Sequence, residues 1–374
     1  MSTQREQLAE QLAADGHLVD ANITDVDLRG LSLEQVEMTG AKLVRCQLDG
    51  AIRSAAGAIF IECDLSGIDA REANLCQAVF ERCIMSRAQL EQADLLEATI
   101  NETNLSEAVL SGAMAADARF SDADLSSTDL RRINLRGAAL VSTSLAGADL
   151  RGTNLSGAQL NGCDLGGADL RQTRIEQASL EGADLQHVKL EETAITLTLC
   201  EGAKGAGQCF DGCDLTNCTF AEADLAGASF DGALLFQTSF ENADLEKASL
   251  RGADARFANF SGADLSGATM DQAKLEEACF EGATLVGTQF NGADAERARF
   301  VRADLSSANL SAAQLCYCDF SYAKLHKALL CDANLLHANM HRTDRSEADF
   351  GGAHTHGLRD TDPALAAAED FKPG

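Results

Sequence analysis

Residues 148–157 read Ala148-Asp149-Leu150-Arg151-Gly152-Thr153-Asn154-Leu155-Ser156-Gly157, two copies of one five-residue phrase. The phrase extends in both directions. Of the 59 positions taken every fifth residue from Phe60 to Phe350, 52 are Leu, Ile, Met or Phe. The exceptions are Ala70, Ala115, Cys200, Gly205, Ala255, Ala295 and Arg345. Two residues before each such centre stands Ala, Cys, Thr or Val, except at Ile68, Ile133 and Gln208. A polar residue, often Asp or Asn, separates the two. A period of five fits neither an amphipathic helix, at about 3.6, nor a long strand, at about 2. It fits a chain that runs straight for about three residues and then turns, with the small and the large residue both facing inward. The remaining two positions, frequently Gly plus a charged residue, form the corner and face water.

Phenylalanine gives the number of walls. Thirteen of the 16 Phe residues stand at centres, all numbered by multiples of ten. Phe60, Phe80, Phe120, Phe220, Phe240, Phe260, Phe280, Phe300 and Phe320 share one phase of a 20-residue period, and Phe210, Phe230, Phe290 and Phe350 the opposite phase. Twenty residues per lap is four pentapeptides, so each lap has four walls around an interior of Phe and Leu such as Leu150. On this pattern the chain resembles the pentapeptide-repeat proteins, whose A(D/N)LXX units build a right-handed quadrilateral β-helix. The resemblance runs over about nine-tenths of the sequence and implies an all-β, right-handed parallel solenoid of about 16 coils with helical caps.

The expected organisation has five parts. Residues 1–20 read as an N-terminal helical cap, with Thr3 and Glu6 matching a capping box, Leu8 and Leu12 giving an apolar stripe and Gly16 a stop. Residues 21–50 form the first coils. Since the step from Leu48 to Phe60 is out of phase, 51–57 reads as a loop bulging from a corner. Residues 58–350 are the main solenoid, weak or looped at 196–208, and 351–374 a tail or cap with a helix opening at Asp362-Pro363. Lys204-Gly205-Ala206-Gly207 has neither the spacing nor the following helix of a phosphate loop.

The formal net charge is −28, from 58 acidic and 30 basic residues. That balance excludes an electrostatic grip on nucleic-acid phosphates. No apolar run approaches the roughly 18 residues of a membrane span, and the start lacks a secretory signal. Seven of the 13 cysteines (46, 63, 83, 163, 213, 218 and 318) take the small inward slot and read as core fillers, with no metal site. So many thiols without a disulfide framework point to a reducing, cytoplasmic setting. Five of the seven histidines (326, 337, 341, 354 and 356) follow residue 320 and read as a solvated patch. A packed interior and flat walls offer no catalytic pocket, and neither a catalytic site nor a cofactor is expected.

Function is therefore expected in protein–protein contact, with a homodimer as one arrangement. The resemblance implies two contexts. One is a non-catalytic scaffold or adaptor, as in accessory proteins of bacterial secretion machines such as type VI effector loading. The other is an acidic DNA mimic that binds and protects DNA gyrase, as in fluoroquinolone resistance. The acidity itself is partly a property of the motif, because without the 20 aspartates in the polar slot the formal charge is −8. Partner contacts are expected at the supposed loop (Ile52 and Arg53), at Lys204 in the weak segment, and at Leu365 and Phe371 in the tail.

Overall fold

The five-residue period is produced at the corners. A computed structural model describes residues 4–31, 38, 41–190 and 193–370. In one lap, the N–H groups of Cys218, Ala223, Ala228 and Ala233 donate to the carbonyls of Leu215, Phe220, Leu225 and Phe230. The third residue of each of these turns is left-handed: Asn217 (φ 57), Glu222 (φ 57), Gly227 (φ 68) and Gly232 (φ 66). Glycine adopts this geometry without strain. The carboxylate or amide before each centre accepts the N–H two residues on, as Asp64 does from Ser66, Asn154 from Ser156 and Asp244 from Glu246. Such Asx contacts fix the turn and explain why Asp and Asn fill the polar slot.

Laps stack in parallel. The strands β1 (Asn22–Thr24), β2 (Lys42–Val44), β3 (Ile59–Ile61), β4 (Val79–Glu81), β5 (Thr99–Asn101) and β6 (Arg119–Ser121) form one sheet in sequence order. Phe60 faces Phe80, and Ile100 faces Phe120. The short strands β7 (Arg174–Glu176) and β8 (Ala194–Thr196) follow. Further on, single bridges repeat every twenty residues, as in Thr219↔Ser239↔Asn259↔Cys279↔Arg299↔Asp319↔Asn339↔Arg359. The chain forms two compact units, Met1–Ala194 and Ile195–Gly374. Taken singly, each winds about eight coils, half of the number anticipated for one uninterrupted stack.

The interior is packed by repetition. In the second unit Phe240, Phe260, Phe280, Phe300 and Phe320 stack at centroid spacings of 4.9–5.1 Å with rings within 5° of parallel. Phe230 and Phe290 meet this column edge-on at 5.6–6.2 Å, and Phe210 meets Phe220 edge-on at 5.9 Å. Phe60, Phe80, Phe120, Leu150 and Phe220 are likewise buried. Each such side chain contributes about 1.5–3 kcal/mol of burial. In the small slot, Thr143 and Thr153 donate to the carbonyls of Phe120 and Leu130, and the Cys163 thiol to that of Leu140. A buried hydroxyl or thiol is thus satisfied by the preceding lap.

The structure corrects several expectations. Residues 51–57 are a shortened wall. Leu43 pairs with Phe60, seventeen residues on, and the twenty-residue register returns at Ser54↔Asn74. Ile52 and Ala55 take the inward places that Ala70 and Leu75 take on the next lap. The phase shift is therefore a deletion of three residues, not an insertion. Segment 196–208 continues the coil, with bridges Leu199↔Thr219 and Lys204↔Asp224. The solenoid also runs past 350, since His354 and Arg359 bridge Asn334 and Asn339. At the ends stand α1 (Gln4–Asp15) and α2 (Pro363–Glu369). Phe350 is partly exposed where the other phenylalanine centres are buried, and α2 lies against the side of the last coils.

Candidate interaction surface

Left-handed corner positions carry either glycine or a residue that bears strain of roughly 1–2 kcal/mol. Among the described residues, forty non-glycines stand there, nearly all polar or charged. Only four leucine, phenylalanine or tyrosine side chains do so: Leu197, Phe257, Tyr317 and Tyr322. Three of these, Leu197, Phe257 and Tyr317, lie on one corner of the second unit, with exposures of 46%, 44% and 47%. Along that corner the residues run Leu197, Asn217, Gln237, Phe257, Glu277, Arg297, Tyr317 and His337. The corner just before it is mostly glycine: Gly212, Gly232, Gly252 and Gly292. The two corners share one backbone geometry, so the backbone does not require side chains at the former.

Two aromatic clusters sit on this corner. Phe236 and Phe257 meet edge-to-face at 5.3 Å, and the Arg256 guanidinium lies 5.9 Å from the Phe236 centroid. Arg256 is itself held by Asp254 through two hydrogen bonds of 2.7 and 2.8 Å. That pairing lowers the Asp254 carboxyl and raises the guanidinium. Three coils further on, about 14 Å at the spacing of paired strands, the Arg297 guanidinium lies 5.5 Å from the Tyr317 ring, which stacks on His337 at 5.1 Å. Glu276, Glu277 and Glu296 lie between the clusters. Glu296 pairs with Arg297 at 2.9 Å, whereas Glu276 Oε2 is shielded from solvent and has no hydrogen-bond partner among the described residues. The corner offers apolar rings on both sides of a group of glutamates, of which Glu277 is exposed, Glu296 is paired with Arg297 and Glu276 lies near the Arg256 guanidinium.

The first unit uses a corner differently. Asp129, Asp149 and Asp169 each bind the arginine two residues on, with Nη2–Oδ2 distances of 2.6 Å to Arg131, Arg151 and Arg171. Arg131 and Arg151 also lie 3.8 Å from the aspartates of the following laps. The result is a continuous ribbon of alternating charge. These arginines lower all three carboxyls.

The contact residues expected from sequence are scattered. Ile52 is 3% exposed and faces the core, out of a partner's reach. Arg53 is exposed and donates to the Arg71 carbonyl. Lys204 points outward from the first coil of its unit, while Leu365 on α2 stands at the last coils of the same unit and is 49% exposed. Phe371 lies outside the described residues. The histidines divide: His354 and His356 are exposed, but His341 is 5% exposed and hydrogen-bonded to α2, so it belongs to no solvated patch. The aromatic corner had a sequence signal, because Phe236, Phe257 and Phe371 are the three phenylalanines outside the multiples of ten. Among the described residues no group of three or more His, Cys, Asp or Glu is placed to hold a metal ion, and no helix is long and apolar enough to cross a membrane.

The lap geometry defines a class, the four-walled parallel β-solenoid. Comparison supplies the family. Models of pentapeptide repeats match in eight copies, over residues 17–52, 58–95, 93–132, 118–157, 128–167, 163–197, 283–321 and 318–354. A pentapeptide repeat region model matches 208–280. The chain belongs to the pentapeptide-repeat family. A similar solved structure is HetL, a pentapeptide repeat protein involved in heterocyst differentiation regulation from the cyanobacterium Nostoc sp. strain PCC 7120, at 28% identity and a TM-score of 0.32, covering 61% of this chain and 89% of that one. A pentapeptide repeat protein of the Arabidopsis thaliana thylakoid lumen is 29% identical over 29% of this chain and 65% of its own, with a TM-score of 0.18. QnrB1, a plasmid-mediated fluoroquinolone resistance protein, is 19% identical over 74% of this chain and 99% of its own, with a TM-score of 0.26. None of the curated proteins matches the chain.

Proposed function

We propose that this protein is a non-catalytic interaction scaffold, an adaptor that holds a protein partner along the aromatic corner of its second unit. One observation carries the reading: three of the four large apolar side chains at strained left-handed positions share one exposed edge. Aromatic side chains supply contact area at low entropic cost and are typical anchors of protein interfaces. The exposed Glu277, with Glu276 and Glu296 beside it, favours a partner segment with a basic side chain between apolar ones. The context taken from the family resemblance is an accessory role in a bacterial secretion machine, of the type VI effector-loading kind.

Acidity alone supports the DNA-mimic alternative. Many of its carboxylates serve other ends, since aspartates of the polar slot accept backbone N–H groups of their own turns and others are neutralised in the Asp–Arg ribbon. The test uses the full chain as bait. A secretion component captured by the wild type and lost by the Phe257→Ala/Tyr317→Ala variant supports the adaptor. Inhibition or drug protection of gyrase by micromolar protein overturns it.

A further inference from the structure

Helix α2 docks without burying a single residue. Its attachment is polar and centred on one carboxylate. The Tyr322 hydroxyl donates to Glu369 Oε1, and His341 Nε2 lies 3.1 Å from Glu369 Oε2. Arg342 Nε is 2.9 Å from the same Oε2 but off the hydrogen-bond direction, so this contact is ionic. Arg342 also reaches Asp370 at 2.8 Å and the Ala366 carbonyl at 2.7 Å. The receptor side is built by the solenoid. The Arg302 guanidinium lies 5.3 Å from the Tyr322 ring, which meets His341 edge-on at 5.6 Å. His341 accepts the Asp362 N–H on its other nitrogen, which orients the ring.

Charge follows the same division. Between Arg297 and Arg359 eight basic residues meet six acidic ones, in a chain whose net charge is −28. The segment that docks on these coils, at Tyr322, His341, Arg342 and Arg345, carries Asp360, Asp362, Glu369 and Asp370 and no basic residue through Asp370. The fit is incomplete, because a cavity of about 550 Å³ remains between α2 and the wall, lined in part by Ser321, Asn339 and Leu365.

We infer that the Tyr322–His341–Arg342 surface is a carboxylate-reading site for an acidic segment of a protein partner, and that α2 is its intramolecular occupant. The partner's carboxylate takes the place of Glu369, and α2 leaves. With no fully buried apolar residue to give up, the exchange is set mainly by the difference between two sets of similar ionic contacts. This deepens the adaptor reading by adding a second, gated contact. It is tested without the aromatic corner, so either failure can be seen apart from the other.

The experiment uses the full chain and a fluorescein-labelled peptide of residues 361–370, read by anisotropy. Glu369→Lys expels α2, and the peptide is expected to bind that variant at least tenfold more tightly than it binds the wild type. Adding Arg342→Gln to Glu369→Lys is expected to remove the gain. In the wild type, excess peptide is expected to accelerate amide exchange at residues 366–370, a readout independent of how well the variants fold. Equal affinity for wild type and Glu369→Lys overturns the proposal, as does a gain that survives Arg342→Gln or no change in exchange. A concentration-dependent dimer of the wild type that Glu369→Lys abolishes overturns the choice of partner, since the occupant is then the helix of a second copy.

Discussion

The ribbon of the first unit and the aromatic corner of the second are made by the same backbone turn, yet they dispose of their side chains in opposite ways. On the ribbon every carboxylate from Asp129 to Asp169 has its guanidinium, and the charges are consumed within the molecule. On the corner Phe257 and Tyr317 stand nearly half exposed at strained positions, and Glu277 faces solvent between them. A saturated surface serves the fold, whereas an unsaturated one leaves interaction capacity for something else. Counting charged or apolar residues does not separate the two, but following their partners does.

The comparison is broken most forcefully from beneath. Phe260 lies one lap position from the corner but inside, stacked on Phe240 and Phe280. Phe260→Ala is expected to cost about 3–5 kcal/mol, seen as a lower denaturant midpoint for the second unit. Phe257→Ala, three residues away but exposed, should stay within about 0.5 kcal/mol of wild type. At the corner, Phe257→Ala/Tyr317→Ala should weaken partner capture at least tenfold, about 1.4 kcal/mol, with the midpoint hardly moved. Phe257→Gly sharpens the point. Relief of the left-handed strain at φ 61 should stabilise the chain by about 1 kcal/mol while capture falls. Retained capture would remove the corner from the interface.

The smallest effect belongs to paired charges. Arg71 hydrogen-bonds Asp69 and holds its carboxyl down at about 2. A folded-state value below the ordinary one, near 3.9, contributes stability that is present above the ordinary value and lost as pH falls through about 2. Arg71→Gln should therefore lower stability only slightly at pH 7, since solvent screens so exposed a pair. In paired denaturation curves the difference should vanish as pH drops from about 4 to about 2.

The repeat is legible because its period depends only on local rules: extended backbone aims two side chains inward, and a left-handed turn follows. The same rules hid the short wall. A twelve-residue step from Leu48 to Phe60 is consistent with two added residues or three removed, and only the pairing of Leu43 with Phe60 decides between them. Reading an insertion placed Ile52 on a surface loop when it fills the core. Register also hid His341, whose corner position predicts exposure until α2 covers it through contacts 28 residues away in sequence. The aromatic corner was visible as phenylalanines out of step, but their meeting at 5.3 Å needs Phe236 and Phe257 on successive laps, which spacing alone does not make an interface.

The lap of seventeen residues has a consequence for how such a chain can change. It keeps its lateral bonds on both sides while omitting three residues, so the sequence ruler and the spatial ruler slip against each other without tearing the lattice. Small losses at corners are then a graded adjustment, like a vernier, that reassigns which outward side chains become vertical neighbours. A lineage can in this way compose new surfaces from old residues, without inventing a side chain and without disturbing the interior beneath.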